Sequence, residues 1–307
     1  MPYSRREILK LSGLTGLGLA AIPSLFSFSQ DKSMRQRAIP SSGEPLPIVG
    51  LGTWLTFDVG NSSEALKVRQ QVLSEMQQLG GKVIDSSPMY GSSEAVVGKL
   101  SAALESQNSL FYATKVWTSG RQAGIDQMNS SFRKMRRSTM DLMQIHNLVD
   151  WQTHVKTLRT WKEARKIRYW GLTHYVDSAH STLEKIIRQE KPDFVQFNYS
   201  ILSRHAEKSL LATCQQNQTA VIINQPYDSG SLFRKVKGQS LPEWSVDYDI
   251  KSWGQYFLKF ILSHEAVTCA IPGTSKPHHV IDNMMAGYGA LPDSSGREKM
   301  ASYLKSL

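Results

Sequence analysis

The chain has 307 residues, is 40% hydrophobic and carries a formal net charge of +10. A chain of this length can bury one large core or two smaller ones. Its positive charges are dispersed, and the densest run, Arg133-Lys134-Met135-Arg136-Arg137, falls in a predicted helix whose solvated face accounts for it. Nothing resembles a nucleic-acid module, so nucleic acid is not an expected partner. The two cysteines, Cys214 and Cys269, lack metal or redox spacing, and no metal site is expected.

Residues 1–29 read as an export leader rather than as fold. Ser4-Arg5-Arg6-Glu7-Ile8-Leu9-Lys10 precedes a weakly apolar stretch from Leu11 to Ile22, the pattern of a twin-arginine (Tat) signal. That stretch is shorter than the ~20 residues needed to span a bilayer. Cleavage after Ala20 and after Ser29 both satisfy small-residue rules, and the membrane is a partner only if the leader stays uncleaved. The export machinery is thus an expected partner and the periplasm the expected destination.

From Arg35 to Pro47 the Gly/Pro-punctuated chain suits a hairpin capping the bottom of a barrel. Ile48 to Trp54 reads as the first strand. Asn61 or Ser62 can cap a helix whose apolar positions run from Ala65 to Leu79, and Gly80-Gly81 ends it. Val83 and Ile84 begin a second strand, followed by a helix from Ser92 to about Glu105. The alternation continues: strand Leu110–Val116, helix around 125–137, strand Met140–Asn147, helix around 151–166, strand Ile167–Thr173, helix over 178–189. Strand Asp193–Tyr199 leads to a helix over 206–216. Strand Ala220–Gln225 is followed by a long connection through Pro242, a helix around 253–264, strand Val267–Ile271 and a helix beginning near His278.

Eight strand–helix pairs at a spacing of ~30 residues argue a (β/α)8 TIM barrel of the α/β class over residues 35–305. Ala220-Val221-Ile222-Ile223 is apolar throughout, as burial on both faces requires. A doubly wound open sheet is the structural alternative, but no glycine-rich dinucleotide fingerprint follows any predicted strand.

Three successive strands each end on an ionisable residue: Asp85, Lys115 and His146. The turn after the first presents Tyr90. In a parallel barrel those ends converge on one rim. Singly, Lys115 reads as well as a snorkelling end residue and His146 as a satisfied core histidine; together, beside an Asp–Tyr turn, they read as a site. Asp85 at the end of an apolar strand needs a counter-charge, and Lys115 supplies it. A tyrosine hydroxyl ionises near ~10, and an adjacent ammonium lowers that value. The set suits proton delivery to a carbonyl oxygen. Tyr90 would be the general acid, Lys115 its tuner, Asp85 the partner of the lysine, and His146 the donor that orients and polarises the carbonyl. These residues do not set the direction of reaction.

Asp85, Tyr90 in Asp-x4-Tyr-Gly, Lys115 and His146 resemble the tetrad of the aldo-keto reductases. Gly50-Leu51-Gly52-Thr53-Trp54 resembles that family's first barrel strand, and Ile271-Pro272-Gly273-Thr274 through Asn283 its cofactor-phosphate segment. The resemblance implies an oxidoreductase that reduces an aldehyde or ketone, or oxidises the alcohol, with hydride from NADP; NAD is the second option. It further implies nucleotide contacts from Gly52 and Thr53, from Thr173, His174 and Gln196, from Asn224, from Ser229, Gly230 and Leu232, and from Gly273, Thr274, Ser275, Lys276, His279 and Asn283. Thr173-His174 stands where the family usually has Ser-Asn. Asn224 stands where many members stack a tyrosine on the nicotinamide, and His279 where an arginine commonly grips a 2′-phosphate, leaving that charge to Lys276. These departures motivate an alternative: a nucleotide-binding sensor or accessory subunit on the same barrel with little turnover. Trp54 and Trp117 are candidate walls of a substrate pocket. Substrate identity and oligomeric state are not encoded in any motif.

Overall fold

The computed structural model describes residues 33–104 and 107–307; the expected leader lies outside them. Two short strands, β1 (Gln36–Ala38) and β2 (Pro45–Pro47), pair antiparallel as the expected hairpin. Eight parallel strands follow: β3 (Leu51–Gly52), β4 (Val83–Asp85), β5 (Phe111–Val116), β6 (Met140–His146), β7 (Ile167–Thr173), β8 (Phe194–Asn198), β9 (Ala220–Asn224) and β10 (Cys269–Ala270). Each is hydrogen-bonded to the next in chain order. Bridges from Val49 to Ala270 and from Gly52 to Gly273 join the first strand to the last. The predicted (β/α)8 barrel is what the chain forms.

The seam explains two glycines. A Cβ on Gly52 would sit 2.8 Å from the Ile271 carbonyl oxygen, and one on Gly273 would sit 3.1 Å from that of Gly52. The seam is joined at the isolated bridges Val49–Ala270 and Gly52–Gly273, and the first strand covers only Leu51–Gly52 and the last only Cys269–Ala270, both shorter than expected. After Gly52 the chain turns, with the amides of Thr56 and Phe57 both donating to the Thr53 carbonyl.

Helices α1 (Ser63–Gln78), α2 (Ser93–Ser101), α3 (Arg121–Lys134), α4 (Trp151–Glu163), α5 (His180–Glu190), α6 (Leu210–Gln216), α8 (Trp253–Leu262) and α9 (Pro277–Met285) alternate with the barrel strands. The long connection after β9 holds α7 (Ser231–Lys235), and α10 (Ser294–Ser306) follows the barrel. Ser62 caps α1 by accepting from the Ala65 amide. The last helix was not foreseen; Asp293 caps it by accepting from the Gly296 amide.

Side chains along a strand alternate between two faces, and here they divide into two apolar clusters. Ile84, Tyr112, Met143, Trp170, Val195 and Val221 pack with the helices. Val83, Phe111, Leu142, Tyr169, Phe194 and Ile222 form a separate cluster with Ile39 and Leu46 from the hairpin end. That second set fills the barrel interior from below. Two or more residues further along the same inward rows come Asp85, Lys115, Gln144, Thr173, Gln196 and Asn224. An apolar floor thus carries a polar rim, at the end where barrel strands present their chemistry.

Candidate active site

Lys115 is fully buried, and its Nζ donates to Asp85 Oδ1 at 2.5 Å and to the Ser86 carbonyl at 2.7 Å. Asp85 Oδ2 accepts from Gln144 Nε2 and from Gln196 Nε2, each at 3.0 Å. Both carboxylate oxygens are therefore occupied, as a buried charge requires. Burial alone would push the lysine down, but Asp85 and the Tyr90 phenol act the other way and the net direction is upward. The ammonium stays charged.

That ammonium lies 5.0 Å from the centre of the Tyr90 ring. Burial raises the phenol above its ordinary value, Lys115 pulls it down, and Asp85 pushes it up. The expectation of a lowered tyrosine is corrected here: in the nucleotide-free chain burial outweighs the lysine. Tyr90 therefore keeps its proton at neutral pH, as an acid must.

His146 sets its ring edge-on to Tyr90, with centroids 5.8 Å apart at 86°. Burial, then Lys115 and His174, hold its imidazole down at about 2, so it is neutral. Its Nδ1 lies 2.9 Å from Ser87 Oγ. Ser87 Oγ also accepts from the Met89 amide at 3.3 Å, and its hydroxyl proton can be given to Nδ1. With the proton so placed, Nε2 carries the N–H of the neutral ring and is a donor for a carbonyl oxygen.

The predicted nucleotide residues divide by position. Thr173, Gln196 and Asn224 share one hydrogen-bonded row: Gln196 Oε1 accepts from Thr173 Oγ1 at 3.2 Å and from Asn224 Nδ2 at 3.3 Å. His174 lies beside them, its Nδ1 accepting from the Tyr175 amide at 3.0 Å, which leaves Nε2 to donate. Gly52 and Gly273 stand at the seam. Thr53 is buried, and its hydroxyl donates to the Asp85 carbonyl and lies 3.0 Å from Ser86 Oγ; it braces the Asp85 turn. Lys276 caps α9, with Pro277 opening the helix, and its amide donates to Thr274 Oγ1 at 3.1 Å. A lysine at a helix start is suited to an anion. His279 is held below its ordinary value by burial, His278 and Lys276, so it is neutral at pH 7. The rings of His278 and His279 lie 4.3 Å apart. Among the described residues no group of three metal ligands exists.

Ser229 and Gly230 follow Asp228 in a run of left-handed backbone, and Leu232 is buried beneath. Asp228 fixes that turn by accepting from Ser200 Oγ at 2.6 Å and Ser203 Oγ at 3.0 Å. Asn283 is buried, its Oδ1 accepting from the Tyr227 hydroxyl at 2.6 Å. Trp54 and Trp117 are each more than two-fifths exposed, and Trp117 lies 6.3 Å from the His146 ring.

The sequence model of the aldo/keto reductase family matches residues 48–298. The chain belongs to that family. Methylglyoxal reductase YeaE from Escherichia coli is 29% identical over 259 residues, covering 81% of this chain and 89% of its own length. A NADH-specific methylglyoxal reductase from the same organism is 26% identical over 240 residues, covering 68% of this chain and 72% of its own. Among solved structures, an aldo/keto reductase from Klebsiella pneumoniae, in complex with NADP and acetate, superposes with a TM-score of 0.73. It is 23% identical, over 85% of this chain and 93% of that one, and the likeness shows the shared fold.

Three site residues of this aldo/keto reductase escaped sequence reasoning. Ser87 meets His146 Nδ1 at 2.9 Å, and its only signal was its place inside the Asp–Tyr turn. Gln144 supports Asp85 from two positions before His146 in the same strand. Arg69 of α1 reaches the phosphate-segment loop, with Nε donating to the Thr56 carbonyl at 2.7 Å and Nη1 to that of Ser275 at 3.4 Å. Burial lowers its guanidinium only from a value far above neutrality, so it adds a second cation beside Lys276. Nothing local in the sequence ties a helix-borne arginine to a loop some two hundred residues away.

Proposed function

We propose that the chain is a nicotinamide-dependent carbonyl reductase acting on small aldehydes or ketones, with Tyr90 as proton donor and NADP as the preferred nucleotide. One observation carries this reading: a fully buried lysine held between a carboxylate and a tyrosine, with a neutral histidine edge-on to the same phenol. The nucleotide would be held by Thr173, His174, Gln196 and Asn224 at the ring and by Lys276, Arg69 and the start of α9 at the phosphate. It supplies the hydride when bound. Tyr90 gives its proton to the carbonyl oxygen, and Lys115 stabilises the phenolate left behind. His146 Nε2–H steadies the same oxygen while charge develops. Small carbonyl compounds fit the methylglyoxal reductases among the relatives. The NADH named in one relative and the NADP bound by a structural neighbour leave two nucleotides to compare. Preference for NADP rests on Lys276 and Arg69.

The test is turnover by purified protein with NADPH and with NADH across a panel of aldehydes including methylglyoxal. Tyr90→Phe abolishes reduction while nucleotide binding persists; undiminished turnover in that variant removes the tyrosine from the role of acid. Nucleotide binding without any reduction would favour the sensor or accessory reading instead.

Residues 1–29 are proposed to export the enzyme by the twin-arginine route to the periplasm. Replacing Arg5 and Arg6 by lysines then retains the protein in the cytoplasm. Unchanged fractionation in the double variant would refute that route.

A further inference from the structure

The rim row is polarised from one end to the other. A carboxylate accepts only, so Asp85 obliges Gln196 to face it with Nε2, at 3.0 Å. Gln196 Oε1 then points the opposite way, toward Thr173 Oγ1 and Asn224 Nδ2. Asn224 Nδ2 also donates to the His174 carbonyl at 3.1 Å. Exchanging oxygen and nitrogen on Asn224 would set its oxygen against two acceptors, so its orientation follows from its neighbours. One atom is left over. Asn224 Oδ1 is buried and meets no donor among the described residues.

A buried amide oxygen without a donor is a destabilised state that a fitting N–H relieves. We propose that Asn224 Oδ1 accepts an N–H of the nicotinamide carboxamide, so that this chain recognises the ring by its amide edge where an aromatic side chain would recognise it by its face. The inference rests on the reading in the preceding subsection and deepens it. The row that ends at Asn224 begins at the carboxylate holding Lys115, and both residues close their strands on the rim that carries Tyr90. Of the groups expected there, a ketone or aldehyde substrate presents an acceptor, whereas the carboxamide presents N–H. The same atom accounts for the departure at this position: asparagine offers no aromatic face, but its leftover acceptor offers selectivity.

The experiment is calorimetric titration of the full protein with three ligands. These are NADPH, its 3-acetylpyridine analogue, in which a methyl ketone replaces the amide, and ADP-ribose 2′-phosphate, which lacks the pyridine. The corresponding NADH series is used if NADH binds more tightly. Wild type binds NADPH about tenfold more tightly than the analogue, equivalent to about 1.4 kcal/mol. In Asn224→Ala, NADPH weakens to the level of the analogue, while the analogue and ADP-ribose 2′-phosphate bind as before. The third ligand reports that the variant is folded, and the wild-type comparison needs no variant. Absence of discrimination in wild type, discrimination that persists in Asn224→Ala, or an equal loss for all three ligands overturns the inference. If NADPH is bound and oxidised in those cases, the carbonyl-reductase reading stands without it. If wild type binds none of the nucleotides, both fall.

Discussion

Among the described residues two lysines are buried completely, and they are held in opposite ways. Lys115, at the rim, faces a carboxylate, and its affinity for the proton rises above that of an ordinary lysine. Lys259, on α8, has no carboxylate in hydrogen-bonding contact among the described residues. Its Nζ donates to the carbonyls of Tyr248, Tyr288 and Ala290 at 2.6, 2.7 and 2.9 Å. Burial pushes it down to about 8, with Asp249 opposing and Arg35 assisting. Three dipoles satisfy its three donors yet do not replace a counter-charge. One lysine is held so that its charge can act on a neighbour; the other ties together three separate segments of chain. Charge pairing marks the chemical end of the molecule, and carbonyl capture marks a structural joint.

The largest expected effect comes from breaking the rim pair. Lys115→Met leaves Asp85 buried without its cation, which costs about 3–5 kcal/mol of stability. On the proposed reading it also removes the group that stabilises the Tyr90 phenolate, and turnover falls by about a thousandfold, within the range for proton-transfer groups. Adding Asp85→Leu should recover much of the stability and none of the turnover. Denaturant unfolding and steady-state kinetics on both variants check this, and full turnover in either would end the assignment. At the joint, Lys259→Met strands three acceptors and costs about 2 kcal/mol at pH 7, with turnover unchanged.

Titration sharpens the same contrast. Between about pH 8 and 10.5 the unfolded chain keeps a proton on residue 259 that the native chain has released. Stability attributable to this lysine therefore rises with pH across that window, and the rise disappears in Lys259→Met. Lys115 behaves in reverse: with its native value above 10.5, its contribution is complete below that pH and is lost only as pH climbs past the native value. The rate of reduction should be level from pH 6 to 8, since His146 is held near 2 and Tyr90 above its ordinary 10. A limb near pH 6.5 in the rate profile would contradict the neutral histidine.

The sequence showed the tetrad because each member closes an apolar strand or its turn, where a polar residue stands out against what surrounds it. Strands β5 to β9 were legible for the same reason: buried on both faces, they read as apolar runs. Lys259 was not legible. It sits within the apolar run of α8, and its partners lie on segments that meet only in the folded chain. Gln144 was hidden differently. A lone polar residue in a buried strand points either into the barrel or at the helices, and only the register decides; Lys115 opposite Gln144 puts both on the inward row. The short seam strands β3 and β10 were overestimated because apolar content does not reveal how little of a strand finds a partner.

Gln144 yields the smallest effect and the finest comparison, because it supports Lys115 only through Asp85, by a neutral hydrogen-bonding group where Lys259 has neutral groups alone. Its Nε2 is one of two donors on Asp85 Oδ2, and its Oε1 accepts from Gln196 Nε2 at 3.3 Å. Gln144→Leu keeps the volume and removes both bonds, while Gln196 continues to serve the carboxylate. With one donor fewer, the negative charge of Asp85 is less spread. It then pulls harder on Lys115 and opposes ionisation of Tyr90 more strongly. The turnover number should fall by about three- to tenfold with little change in KM, and stability by about 1–2 kcal/mol, the range for a hydrogen bond to a charged group. Gln144→Glu tests the same idea with opposite charge: a second carboxylate against Asp85 should take up a proton near neutrality and give the rate profile a limb that wild type lacks. A Leu variant with wild-type turnover, alongside a Glu variant with a level profile, would show that Asp85 needs only its lysine.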